Sequence, residues 1–211
     1  MILIEDKLRL PLDIVRYINQ FLNQFLNNRT IRKAVYLWFS NREKCIRKYG
    51  HISFWNVSKV TDMSDLFSHA GIFNEDISRW RVNNVVNMSG MFYYCRSFNC
   101  NLNNWNTSNV TNMRHLFHAA KQFNSPLNNW NTSNVTDMSS MFFCAESFNQ
   151  NLNDWDISNV KKMINIFRYA KRFNKKSLKW DISKMPYKHL IFSESPEDMY
   201  VKGKRDESEF F

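Results

Sequence analysis

Glycine is scarce in this chain, at four in 211 residues, and so are proline and cysteine, at four each. So few glycines exclude the Gly-rich loops that cradle phosphates in nucleotide-binding enzymes. No run approaches the roughly 18 consecutive apolar residues that a membrane-spanning helix needs, so insertion into a bilayer is not expected. The first residues interleave Glu5, Asp6, Lys7 and Arg9 with apolar positions, leaving no apolar core or small-residue cleavage site for a secretory signal. A cytoplasmic protein with reduced thiols is the expectation.

What is present is a globular composition, 44% hydrophobic and 23% charged, with a net charge of +10. That charge is uneven: +6 over 1–50, −2 over 51–156, +9 over 157–192 and −3 over 193–211. Two basic ends around a near-neutral middle are compatible with a nucleic-acid partner, but solvated end faces account for them and are preferred.

The strongest signal is a repeat. Trp55, Trp80, Trp105, Trp130, Trp155 and Trp180 are spaced by 25 residues. Five residues after each of the first five comes a Val (Val60 to Val160), and eight after comes a Met (Met63 to Met163). Phe67, Phe92, Phe117, Phe142 and Phe167 follow at twelve, and Phe73, Phe98, Phe123, Phe148 and Phe173 at eighteen, each of these followed by Asn. Within one unit, Met138, Met141, Phe142 and Ala145 fall at i, i+3, i+4 and i+7, which predicts a short helix behind Thr136 and Asp137. Trp130 and Thr132 alternate with polar neighbours, which predicts a short strand. One such unit buries too little to repay its ordering, so neighbours must cover its flat sides. The expected fold is an α/β repeat solenoid, one short strand and one short helix per 25-residue coil.

The organisation follows. Residues 1–54 read as a helical N-terminal cap, 55–179 as five repeats, 180–192 as a truncated sixth closing the far end, and 193–211 as a charged tail. In the cap, Leu12, Val15, Ile18, Leu22 and Phe25 recur at helical spacing across 11–27. A second helix is expected after Thr30, with Ile31, Ala34, Val35 and Trp38 on one side. A third runs from Asn41 to Tyr49 and ends at Gly50.

Segments such as Trp105-Asn-Thr-Ser-Asn-Val-Thr-Asn-Met113, with Met141-Phe142 and Phe148-Asn149, closely resemble the BspA-like surface-protein repeat, a relative of leucine-rich repeats. The resemblance covers about 30–192 and implies a binding scaffold with no catalytic residue to transfer. Signal-less members are also encoded by large DNA viruses, which implies a host-cytoplasmic or virion location. A second resemblance lies at Leu10-Pro11-x-Asp13-Ile14 with Ile18, Phe21 and Leu22, which looks like the opening helix of an F-box. It implies a substrate adaptor of a ubiquitin ligase. A structural virion component and a basic nucleic-acid-associated scaffold are the further alternatives.

No chemistry competes with these readings. Cys95 fills the small-residue slot that Ala70, Ala120, Ala145 and Ala170 fill elsewhere, so it reads as a core thiol. His115 and His118 share one helical face but lack a third ligand. No catalytic, metal or cofactor residues are expected, and the protein is taken to be a monomer that binds a protein and performs no reaction. The Asn that follows each last Phe is expected to form a buried ladder between coils. Function is expected where units disagree. One such set flanks the Trp column: Arg79 and Arg81, Asn104 and Asn106, Asn129 and Asn131, Asp154 and Asp156, Lys179 and Asp181. Tyr93, Tyr94, Phe143, Arg168 and Tyr169 differ on the other side. A basic patch comprises Lys161, Lys162, Arg168, Lys171, Arg172, Lys175 and Lys176.

Overall fold

The computed structural model describes residues 24–183 and 185–192, so the F-box-like stretch at 10–22 and the tail at 193–211 lie outside the described residues. The described chain begins with strand β1 (Phe25–Asn27), then helices α1 (Asn28–Ser40) and α2 (Arg42–Tyr49) and strand β2 (Asn56–Lys59). β1 and β2 pair in parallel, Phe25 opposite Asn56 and Asn27 opposite Lys59.

Phe25 was expected on a helix and is instead in β1. Asn27 is the reason: its side chain accepts the N–H groups of Arg29 and Thr30 at 3.0 Å, and Thr30 Oγ1 accepts the N–H of Asn27 at 2.8 Å. Such a cap contributes about 1 kcal/mol and starts the helix there, leaving Phe25 extended. α1 buries Ile31, Ala34, Val35 and Trp38 on one side. α2 starts at Asn41, whose side chain accepts the Lys44 N–H, and stops at Gly50, with φ at 73°. Trp38 packs edge-on against Trp55, joining the helices to the first repeat.

From Trp55 onward the 25-residue units lie side by side. Parallel bridges run Asp62–Asn87–Asn112–Asp137–Lys162, one residue per unit. The Phe rings twelve residues after each Trp stack on their counterparts in the next unit at 5.5–5.8 Å. Each also stacks on the Phe six residues later in its own unit, at 3.9–4.1 Å. The Val and Met columns are buried. Each Trp from Trp80 to Trp180 also donates its Nε1–H to a main-chain carbonyl 28 residues back, as Trp130 does to Leu102 at 2.9 Å.

The expected helix in each unit is absent, and the hydrogen bonds give the reason. A helix would send the Phe142 N–H to the Met138 carbonyl. Instead Met138, Ser140, Phe142 and Cys144 donate to Lys162, Ile164, Ile166 and Arg168 of the next unit at 2.8–2.9 Å. The alternate groups, Met141, Phe143 and Ala145, close tight turns onto residues three back. Ser140 and Cys144 have φ at 54°, a left-handed conformation that interrupts any helix. The same two places recur ten and fourteen residues after each Trp: Asp65 and His69, Gly90 and Tyr94, His115 and Ala119, Asn165 and Tyr169. Apolar residues at helical spacing thus serve successive turns whose spare N–H groups bind the neighbour.

The expected strand at the Trp is also displaced. Trp130 and Thr132 sit in turn and irregular backbone, and the bridging residue lies seven after the Trp. Thr132 instead donates its hydroxyl to the Asp156 carbonyl at 2.9 Å.

Both ends of this row are matched by non-repeat residues. Within the row, Thr136 O accepts two N–H groups of the next unit, those of Lys161 and Lys162. Before the first unit, no preceding unit among the described residues supplies such a carbonyl. The Asn28 side-chain oxygen takes its place, accepting from Thr61 at 2.8 Å and Asp62 at 3.2 Å. At the far end, Asn165 and Phe167 donate to Leu190 and Ile191, and Phe192 stacks on Phe167 at 5.9 Å.

Candidate interaction surface

The residues flanking the Trp column, the candidate partner-binding strand face, are all exposed, and they stand in turns and irregular backbone instead of a strand. Several have local work. Asn106, Asn131, Asp156 and Asp181 each accept the N–H two residues ahead, at 2.9–3.1 Å. These bonds hold the Asp156 carboxyl below its usual range, chiefly through the Ser158 N–H. Asn129 and Lys179 are fixed through their own N–H groups, which bond Asn103 and Asn153 side chains. Arg79 lies over the Phe54 ring at 5.7 Å, whereas Arg81, Asn104 and Asp154 are exposed without such a role.

The Asn ladder is present but exposed, not buried. Asn99, Asn124, Asn149 and Asn174 each donate their N–H to the side-chain oxygen of the preceding member at 2.8–2.9 Å. A second ladder escaped the sequence reading. Asn84, Asn109, Asn134 and Asn159 each donate a side-chain N–H to a carbonyl 26 residues back, at 2.7–2.8 Å. Its signal is an Asn recurring four residues after Trp80, Trp105, Trp130 and Trp155.

The basic residues do not form one patch. Lys161, Lys162 and Arg168 line a hollow of about 610 Å³ beside residues 185–190. Lys171 and Lys175 border a smaller one of about 290 Å³, with Phe173 and Phe192 in its wall. Lys171 is engaged with Glu146 at 2.8 Å, as is Lys121. The two cations hold the Glu146 carboxyl down at about 2. Arg172 and Lys176 are exposed beyond both hollows.

The residues that do gather are those thirteen and fourteen after each Trp, which the turn places on the outside. His69 stacks on Tyr94 at 5.2 Å, Tyr94 on His118 at 5.7 Å, and His118 on Phe143 at 4.5 Å. Phe143 meets Tyr169 edge-on at 5.2 Å, and the Arg168 guanidinium lies 4.9 Å over the Tyr169 ring. Tyr93 joins at 4.7 Å from both Tyr94 and His118. A half-exposed aromatic ridge therefore crosses all five units. Sequence reading had found its Tyr and Phe members but not its histidines, which it had judged only as metal ligands.

His115 and His118 face each other through their Nδ1 atoms at 3.3 Å. Burial, then the neighbouring His115, pushes His118 down to about 4; burial and Arg114 lower His115, against Asp137 and Asp65. Both shifts favour the neutral rings, and in a neutral pair one Nδ1–H donates to the other Nδ1. Among the described residues, no group of three or more His, Cys, Asp or Glu is disposed to hold a metal ion. Cys95 donates its thiol to the Phe67 carbonyl, and burial pushes its pKa up to about 12. No helix among the described residues is long and apolar enough to cross a membrane.

Six tryptophans at one spacing, carried by cross-unit hydrogen bonds of one pattern, define a tandem-repeat protein. The chain belongs to the family described as Mycoplasma protein of unknown function, DUF285, whose model matches residues 39–110 and 100–199. This agrees with the BspA-like repeat resemblance. No curated protein and no solved structure matches the chain.

Proposed function

We propose that this chain is a non-enzymatic scaffold for protein–protein interaction, a leucine-rich-repeat-like solenoid that presents a partner-binding ridge on its outer turns. One observation carries the reading. Twelve residues after each Trp from Trp55 to Trp155 stands a Phe, five times over, while the next residue is Ser68, Tyr93, His118, Phe143 or Arg168. Packing accounts for the sameness, and nothing in the interior asks for the variety. Tyr, Phe and Arg are also enriched at protein interfaces, Tyr and Arg among the side chains that contribute most there, and here they are already stacked, so little freedom is lost on binding. The four cysteines are free thiols, which suits work in a reducing compartment.

The test is proximity labelling in the native cell with the wild-type chain and a Tyr93→Ser, His118→Ser, Phe143→Ser variant. The reading expects a discrete protein set whose enrichment falls at least tenfold in the variant while its melting temperature stays within a few degrees. An unchanged set would remove the ridge as the binding surface.

A further inference from the structure

The hollow of about 610 Å³ at the far end of the row has a one-signed rim. Arg114, Lys161, Lys162 and Arg168 line it, and no carboxylate among the described residues does. Elsewhere Arg32, Arg42, Lys121 and Lys171 are each matched by an acidic partner. Arg114, Lys161 and Lys162 have no ion pair among the described residues. Arg114, Lys161 and Lys162 brought to one hollow repel one another, and an anion relieves that cost.

Two features say what kind of anion. The floor is apolar, with Ile164, Met185 and Leu190 in it. In the same wall, the side-chain oxygen of Asn165 is buried and has no hydrogen-bond partner among the described residues. A buried acceptor left unpaired costs on the order of 1–3 kcal/mol, so a donor brought to it is favoured. The phosphodiester backbone of DNA brings charge but no donor, its N–H groups lying on the bases away from the charge. An extended peptide brings carboxylates, an N–H at every residue and apolar side chains together.

Building on the protein-interaction reading, we infer that this hollow binds an acidic, extended peptide segment of the partner. Its carboxylates meet Arg114, Lys161 and Lys162, its apolar side chains meet the floor, and one N–H meets Asn165 Oδ1. The hollow adjoins the aromatic ridge through His115 and Arg168, so one partner can engage both.

Fluorescence anisotropy on the full chain tests this with three labelled probes: a twelve-residue peptide of alternating Glu and Leu, its Lys-for-Glu counterpart, and a twelve-nucleotide single-stranded DNA. The acidic peptide is expected to bind at least tenfold tighter than the basic one. Lys161→Glu with Lys162→Glu should weaken it at least tenfold. Lys33→Glu with Lys44→Glu, the same charge change on α1 and α2, should alter it less than twofold. Asn165→Gly retains the left-handed backbone and removes the acceptor, and should weaken binding threefold or more. Equal binding of the two peptides, or equal loss from both charge reversals, overturns the inference. So does DNA binding tighter than the acidic peptide and lost with Lys161→Glu and Lys162→Glu. Either failure beside an intact effect of the ridge variant leaves the scaffold reading standing and removes only the acidic peptide.

Discussion

Phe142 and Phe143 are chain neighbours of the same type under opposite constraints. Phe142 is fully buried and contacts rings on both sides and within its own unit. Phe143 is half-exposed, and its counterparts in other units are Ser, Tyr, His and Arg. The turn that separates them, closed by the Phe143 N–H on the Ser140 carbonyl, points one inward and one outward in every unit. A repeated interior restricts each inward site to what its two neighbours accept. The outward site is restricted only by the left-handed residue beside it, so it can vary without loosening the frame.

The largest effect expected from this contrast comes from Phe117→Ala against Phe143→Ala. Phe117 lies between Phe92 and Phe142, at 5.5 and 5.7 Å, and on Phe123 at 3.9 Å. Its removal should cost about 3–5 kcal/mol, whereas Phe143→Ala should stay within about 1 kcal/mol. Urea denaturation of both variants decides it, and equal losses would erase the distinction between inside and outside.

Next in size is a pH dependence located on the ridge. His118 titrates near 6.5 when unfolded and about 4 when folded, with His115, Tyr93 and Tyr94 around it. Between those values the unfolded chain binds more protons, so stability is complete above about pH 6.5 and is lost as pH falls toward 4. His118→Phe retains the stack on Phe143 and removes the titration. Its urea midpoint should therefore fall less between pH 7 and pH 5 than that of wild type. Parallel curves would show that the imidazole pair carries none of the acid sensitivity.

The smallest effect is Asn124→Ala. The Asn124 oxygen accepts the Asn149 N–H at 2.9 Å, but water can reach the exposed N–H once the amide is gone. The expected cost is about 0.5–1.5 kcal/mol by thermal melt. A loss as large as that of Phe117→Ala would make the surface ladder, and not the stacked rings, the main support of the row.

Much of the frame was legible in the sequence. The 25-residue register identified the buried columns because identical rings meet best when each sits on its copy in the next unit. The two helices were legible from Ile31, Ala34, Val35 and Trp38, from Asn41 and from Gly50, since periodicity and caps act locally. The helix inside each unit was misread because Met138, Met141, Phe142 and Ala145 also satisfy a run of turns. Spacing reports which side chains face inward, not where each N–H is directed. At the site, Lys161, Lys162 and Arg168 were found by charge but grouped with Lys171 and Lys175, which border a different hollow.

Sequence alone determined the period, the inward columns and the positions where units differ, because these are properties of one chain repeated upon itself. Only the tertiary structure decided that alternate N–H groups bind the neighbouring unit. The same holds for Asn28 replacing a missing carbonyl and for His69, Tyr94, His118, Phe143 and Tyr169 meeting as one ridge. Those outcomes depend on residues about 25 apart or more arriving within a few ångströms of one another. That proximity is created when the units pack and is written in no single one of them.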